Sequence, residues 1–520
     1  MSILSQNKNF DTNILYLLFL SLFSFFINFY YSHLGSFPID TFLHFDSAYR
    51  ILIGELPVKD YWIVSGLTVD FIQSFFFKIF GVNWFAYSLH ASTFNLLIAI
   101  FIYFFFLNLK INRFKAFIFS LSFSTLSYSI SGTPFVDLHA TFFLLISTLV
   151  LIQNLDKQKT YLWVLIIILF FLSFFSKQVP AAYAAVTYFV ILLFYFIKKN
   201  NFKNIYTIFY ISIIIFGLII ILLKICGIDL KNFYVQYLDY PRSIGRSRIF
   251  NISFIDFFSK FKFIIIPILF LSVLKFKKIK KISILSNEIF SHFIFLILII
   301  ILIFHQMMSK NQIYIYFLIP IIFAFIESEI NQSEIKFKKY FSIILICILG
   351  FITIKYHLRY NENRKFHELS KIQLNETVDA SKIHKSLNGL KWKNPTYHGK
   401  ISDEIVILNK AQKKLNNNFQ DEIMVITHYL FLDAITKKNL NYPNKTFTTD
   451  GASVPVPGNK HYNYYKNFLL NKIKEKNIKK ILFLKHEKIN QSIISSYLSS
   501  KCYNISEDEI FYIFNIKCLN

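Results

Sequence analysis

Long apolar runs separated by short polar loops occupy the first two thirds of the chain. An apolar stretch of roughly 17–25 residues suits the hydrocarbon core of a bilayer. On that basis the pattern predicts spans over about 13–32, 84–107, 114–131, 135–153, 160–176, 178–197, 205–225, 258–275, 288–305, 311–327 and 340–356. Alternate loops carry the lysines and arginines: Lys110, Arg113 and Lys115; Lys157 and Lys159; Lys198, Lys199 and Lys203; "KFKKIKK" at 275–281; and Lys336, Lys338 and Lys339. Cytoplasmic loops collect such residues. The N-terminus is therefore expected inside, and eleven spans put everything after about residue 357 outside.

Three segments fall on the outer side. In the loop 33–83, residues 40–54 read as a helix with Phe42, Phe45, Tyr49, Leu52 and Ile53 in one stripe. Residues 66–81 are too short and too polar for a span and read as an interfacial helix. The loop 226–257 contains Arg242, Arg246 and Arg248, against the inside bias. The tail turns polar, with strand-like runs at 422–429, 479–486 and 510–516 and a turn-rich loop at 443–460. The expected fold is mainly α: a polytopic transmembrane helix bundle over 1–356 and an extracytoplasmic α/β domain over 357–520.

Composition agrees with that reading. The chain is 54% hydrophobic and contains 64 Phe. Its net charge of +26 fits a general Lys-, Asn- and Ile-rich bias and the gathering of Lys in cytoplasmic loops, and no nucleic-acid reading motif accompanies it. Neither a P-loop nor a GxGxxG is present, so no nucleotide site is indicated. Cysteine and histidine spacings give no zinc site. Cys502 and Cys518 both lie in the tail and would form one disulfide if that tail is outside.

The chemistry-bearing residues cluster on the outer face. Asp46 falls about 40° from Phe42 and about 20° from Ile53 on a helical wheel, at the edge of the apolar stripe. It is either an acid poised at the membrane surface or a helix partner of Arg50. Asp137 and His139 sit in the first turns of a membrane helix, where an ionisable group is functional, paired, or a helix-terminus charge. Lys177, Arg242, Arg246, Arg248 and Lys310 form an outer cationic set suited to phosphate or to anionic head groups.

The stretch "HFDSAYRILIGELPVKDYWIVSG" resembles the first outer loop of GT-C-fold membrane glycosyltransferases, the group that includes protein O-mannosyltransferases and lipid A aminoarabinose transferases. Their pattern is an acid after the first span, a helix, and a "G-x-x-P-Y-x-D"-like turn. "FFKIFGVNWFAYSLHASTFNLL", "TPFVDLHATFF" and "FFSKQVPAAY" are similar to later parts of the same group. Many relatives carry Asp-Glu at the first site, where this chain has Asp46 followed by Ser47.

The resemblance implies inverting transfer of a sugar from a polyprenyl-phosphate carrier to a glycan, lipid or protein acceptor at a bacterial inner membrane. Asp46 would be the base and Asp137 a second acidic or acceptor-orienting residue. Lys177, Arg242, Arg246, Arg248, Lys310 and His139 would hold phosphate or substrate. No cofactor is implied, and a divalent metal stays open. The alternative is a transporter or flippase of a lipid-linked sugar, which would place ionisable groups near the bilayer midplane.

Overall fold

The computed structural model describes residues 2–245, 253–279, 283, 285–310, 312–333, 337–362, 374–417, 419, 422–448, 450–487 and 489–518. Two compact units form, each from separated stretches of chain. The first comprises Met1–Ser32, Ser88–Gly217 and Phe250–Lys371; the second comprises His33–Tyr87, Leu218–Ile249 and Ile372–Asn520.

Among the described residues nine helices are long and apolar enough to cross a membrane: Thr12–Ser32, Trp84–Asn108, Val136–Lys157, Gln178–Lys198, Phe202–Ile225, Ile255–Phe276, Asn287–Met308, Ile315–Gln332 and Lys338–Asn361. The other two expected spans are also helices. Thr160–Ser176 has 17 residues and Arg113–Ser127 has 15. At 1.5 Å per residue the latter reaches only about 22 Å, short of a full hydrocarbon core.

Within the first unit, the helix Val136–Lys157 is buried along most of its length. Side-chain hydrogen bonds tie it to its neighbours, as small polar residues do between membrane helices. Ser173 Oγ donates to the Ala140 carbonyl at 2.6 Å, and Ser147 Oγ donates to the Ile166 carbonyl at 2.9 Å. Asn28 donates to Ser92 Oγ and to the Gly132 carbonyl, and accepts from Ser129 N. Gly132 has φ +70°, and a Cβ there would lie 2.3 Å from Ser32 Cα. Only glycine permits this crossing.

The second unit contains the sheet. Strands β1 (Val378–Asp379) and β2 (Lys391–Trp392) form a short antiparallel pair. Strands β3 (Ile423–Ile426), β4 (Lys480–Leu484), β5 (Tyr503–Glu507) and β6 (Phe511–Ile516) form a four-stranded sheet in the order β3-β4-β6-β5. The β3–β4 pair is parallel and the other two pairs are antiparallel. Alternate residues of β3 and β4 face opposite layers, as the period of two requires. Val425 and Leu482 pack with Leu408 and Leu415 of the helix Ile401–Asn417. Met424 and Ile481 pack instead with Leu469 and Ile473 of the helix Tyr462–Glu475. This two-sided burial explains why both strands read as continuous apolar runs. Cys502 and Cys518 are joined by a disulfide.

In the same unit, the expected helix over 40–54 is two helices, Pro38–Thr41 and Leu43–Leu52. Phe42 and Phe45 of the stripe are fully buried, whereas Ile53 caps the helix and is exposed. The helix Leu67–Phe80 turns Asp70, Gln73 and Phe77 inward and leaves Phe71, Phe75, Ile79 and Phe80 exposed.

Candidate active site

The helix Leu43–Leu52 buries a polar face. Phe42 and Phe45 anchor it, packing against Phe431 at 4.7 Å and Phe77 at 4.9 Å between ring centroids. Anchored there, the helix turns His44, Asp46, Ser47 and Arg50 into the interior. Asp46 is 0% exposed, so it does not edge the aqueous surface as the helical wheel places it. The wheel gives an angle and cannot see that residues of the C-terminal stretch cover that face.

Neither oxygen of Asp46 has a hydrogen-bond partner among the described residues. Its closest cation is Arg50, with Nη1 3.9 Å from Oδ2. Arg50 is committed elsewhere: its Nε donates to Glu55 at 2.7 Å and its guanidinium lies 3.8 Å over the Tyr61 ring. The helix salt bridge with Arg50 is therefore long and secondary. Glu55, to which the sequence assigns no role, also accepts from Asn439 at 2.7 Å and pairs with Lys476 at 3.3 Å. Asp60 closes the following turn by accepting from Leu56 N at 2.7 Å.

A second buried constellation lies in the same unit. Asp70 pairs with Lys445 Nζ at 2.6 Å and with His44 Nδ1 at 2.5 Å, and Lys445 also reaches His44 Nδ1 at 3.2 Å. The Ser65 carbonyl accepts a further bond from Lys445. Ser47 Oγ donates to Tyr61 Oη at 3.0 Å. Asp433 accepts from Leu440 N at 2.7 Å. Beside the Asp46 carboxylate, Arg50 Nη1, His44 Nε2, Asp433 Oδ2 and Tyr442 Oη are also buried without a hydrogen-bond partner among the described residues. Each such atom costs about 1–3 kcal/mol while it stays unpaired, which makes this cluster the candidate site.

Burial dominates the protonation of this cluster. It drives the Asp46 carboxyl well above the ordinary range; Arg50 opposes the rise, while Asp433, Glu55 and Asp70 add to it. Asp70 is pushed up to about 7 by burial despite Lys445. Asp433 is likewise pushed to about 7 by burial, against Arg50. Burial and Lys445 together lower His44 well below its usual value, so the ring is neutral and its contact with Asp70 is a hydrogen bond. Glu55 differs: burial raises it, but Arg50, Asn439 and Lys476 overcome that and bring it to about 2. Carboxyls held far apart in proton affinity within one cluster are a signature of acid–base sites.

In the first unit, Asp137 is gripped by Lys177 Nζ at 2.7 and 2.8 Å through both oxygens. Gln312 accepts from the same ammonium at 3.3 Å. His305 Nε2 stands 3.0 Å from Asp137 Oδ1 without hydrogen-bond alignment. The Lys177 ammonium is thus engaged by protein. His139 is fully buried, stacked on Phe94 at 4.0 Å, with its ring nitrogens at the Phe135 carbonyl and His90 Nε2. Lys310 is exposed at a turn with φ +55°.

In the second unit, Arg242 is exposed on the short helix Tyr240–Gly245. Arg246 and Arg248 lie outside the described residues. Among the described residues no group of three or more His, Cys, Asp or Glu side chains is arranged to hold a metal ion.

No protein-family model matches the chain. No curated protein matches it either. Among solved structures, it is similar to the crystal structure of an Archaeoglobus fulgidus oligosaccharyltransferase in complex with Zn and sulfate. That match has 9% identity and a TM-score of 0.43, and it covers 96% of this chain and 73% of that one.

Proposed function

We propose that this chain is a GT-C-type membrane glycosyltransferase that moves one sugar, with inversion, from a polyprenyl-phosphate carrier to a glycan, lipid or protein acceptor outside the cytoplasm. The observation that carries this reading is the Asp46 carboxylate, fully buried and without a hydrogen-bond partner among the described residues, on the helix that leads into "GELPVKDYW". The apolar helices support the membrane setting.

In this reading Asp46 takes the proton of the acceptor hydroxyl as its oxygen attacks the anomeric carbon. The bond from that carbon to the carrier phosphate breaks, and the electron pair leaves with the phosphate. Cations that meet the departing phosphate stabilise its charge. Glu55 keeps Arg50 in place, and Arg50 is the charge that favours ionised Asp46. Asp137, with Lys177, serves as the second acidic residue. Arg242, Arg246, Arg248 and Lys310 remain the proposed phosphate holders, and the N-terminus faces the cytoplasm.

Purified full-length protein in proteoliposomes, offered a panel of sugars on polyprenyl phosphate or on soluble nucleotides, tests the donor class. Sugar transfer from the lipid-linked donors alone is expected. Direct use of nucleotide sugars would overturn the reading, as would movement of the carrier lipid between leaflets without any transfer.

A further inference from the structure

The first unit contains a cleft that no residue considered above helps to line. Lys260 and Lys262, from the start of the helix Phe254–Ile279, form one side. Lys355, Tyr356, Arg359 and Tyr360, from the end of the helix Lys338–Tyr356 and the π-helical turn after it, form the other. The cleft encloses about 440 Å³, within the range of small-molecule sites.

Its charge is one-sided. Among the described residues that line it, four cations meet one carboxylate, Asp256, which accepts a hydrogen bond from Ser253 Oγ at 2.6 Å. Among the described residues Lys262, Lys355 and Arg359 make no ion pair; aromatic rings cushion them instead. Lys355 Nζ lies 5.3 Å and Lys262 Nζ 5.6 Å from the Phe263 ring centre, and Arg359 lies 5.4 Å from that of Tyr360. A wall of stacked tyrosines flanks the cations. Tyr316 and Tyr356 are 4.0 Å apart and within 4° of parallel, while Tyr314 and Tyr316 stand 4.6 and 4.9 Å from Tyr360.

Lysines at helix ends commonly extend toward lipid head groups one by one. That habit does not bring cations from two separate helix ends into one concavity. The inside bias of basic residues does not explain them either, because the proposed orientation puts these helix ends on the outer face. Arginine and lysine together match phosphate, the former in bidentate fashion.

We propose that this cleft binds the phosphate ester of a membrane lipid, with Lys260, Lys262, Lys355 and Arg359 neutralising it against the tyrosine wall. The proposal does not rest on the transferase reading, since a phosphate-lipid site would persist in a protein that transfers nothing.

The test uses the full chain in nanodiscs of zwitterionic lipid and native mass spectrometry with three probes: farnesyl phosphate, phosphatidylglycerol and inorganic phosphate. At least one lipid probe should bind, more weakly as salt is raised. Lys355→Gln combined with Arg359→Gln should weaken it about tenfold or more, whereas Lys355→Arg should stay within about twofold and Lys198→Gln should match wild type. If the double variant does not fold, Lys262→Gln alone should weaken binding about threefold or more. Preference for farnesyl phosphate would make a carrier lipid the source of the phosphate, and preference for phosphatidylglycerol would make it a phospholipid. Lipid affinity unchanged in these variants would overturn the proposal, as would inorganic phosphate binding as tightly as either lipid.

Discussion

Replacing Lys445 by methionine should destabilise the protein by an amount that grows with pH. Lys445 is buried and holds Asp70 at 2.6 Å, 375 residues away in sequence. Burial pushes Asp70 up to about 7 even with the lysine present, so near neutrality the carboxyl is about half protonated. Relative to an unfolded aspartate near 3.9, a folded group titrating near 7 retains a proton that the unfolded chain has lost. Stability of the native protein therefore falls as pH rises from about 4 to about 7 and then levels off for this group.

Without Lys445 the titration of Asp70 moves still higher, and the decline continues above pH 7. At about pH 6, where Asp70 is protonated in both proteins, the variant loses hydrogen bonds worth about 1–2 kcal/mol. By about pH 8 wild type has ionised Asp70 against the lysine and the variant has not, which widens the gap by roughly 1.4 kcal/mol. For a folding unit of 150–250 residues that increment is about 3–5 °C in melting midpoint. Intrinsic-fluorescence melting of the full chain in detergent, at one scan rate across about pH 6 to 8, reads this directly. A gap that is constant with pH, or that narrows as pH rises, would refute a buried Lys445–Asp70 pair.

Glu55→Gln should show its pH dependence in acid and not near neutrality. Its carboxyl is held at about 2, so its contribution is full above about pH 5 and disappears only in acid; breaking the buried pair with Arg50 should cost roughly 3 kcal/mol or more in unfolding experiments near neutrality. Lys177→Met should be severely destabilising, and adding Asp137→Asn should restore about 1–3 kcal/mol, measured as the coupling energy of a double-mutant cycle on thermal unfolding. Gly132→Ala should abolish or greatly reduce folded yield by size-exclusion chromatography, because its Cβ would strike the Ser32 backbone, while Gly350→Ala, with nothing within 4 Å, should be tolerated.

The helices were legible because lipid demands long apolar runs, and the runs alone locate all eleven. The strands 423–426, 480–484 and 511–516 were legible for a similar reason: each is apolar where helices or neighbouring strands cover it. The strand Tyr503–Glu507 was not, since it is mostly exposed and only Tyr503 and Ile505 in it are apolar. Asp46 was found through its position after the first apolar run. Its burial was invisible, because periodicity says which way a side chain points and not what lies on top of it. His44, Asp70, Asp433 and Lys445 were missed for the same reason. The contact from Lys445 to His44 spans 401 residues, and no local spacing encodes it. A lysine followed by Thr446 in a turn-rich loop reads as solvent-facing until the fold buries it.

Asp46 is the proposed base. Asp46→Asn keeps the size of the side chain and removes its proton affinity, so melting of the variant should match or exceed that of wild type. Transfer from the best polyprenyl-phosphate-linked sugar should fall by about 10²-fold or more, the usual contribution of a positioned general base. A well-folded Asp46→Asn protein that transfers sugar at a near-normal rate would contradict the account.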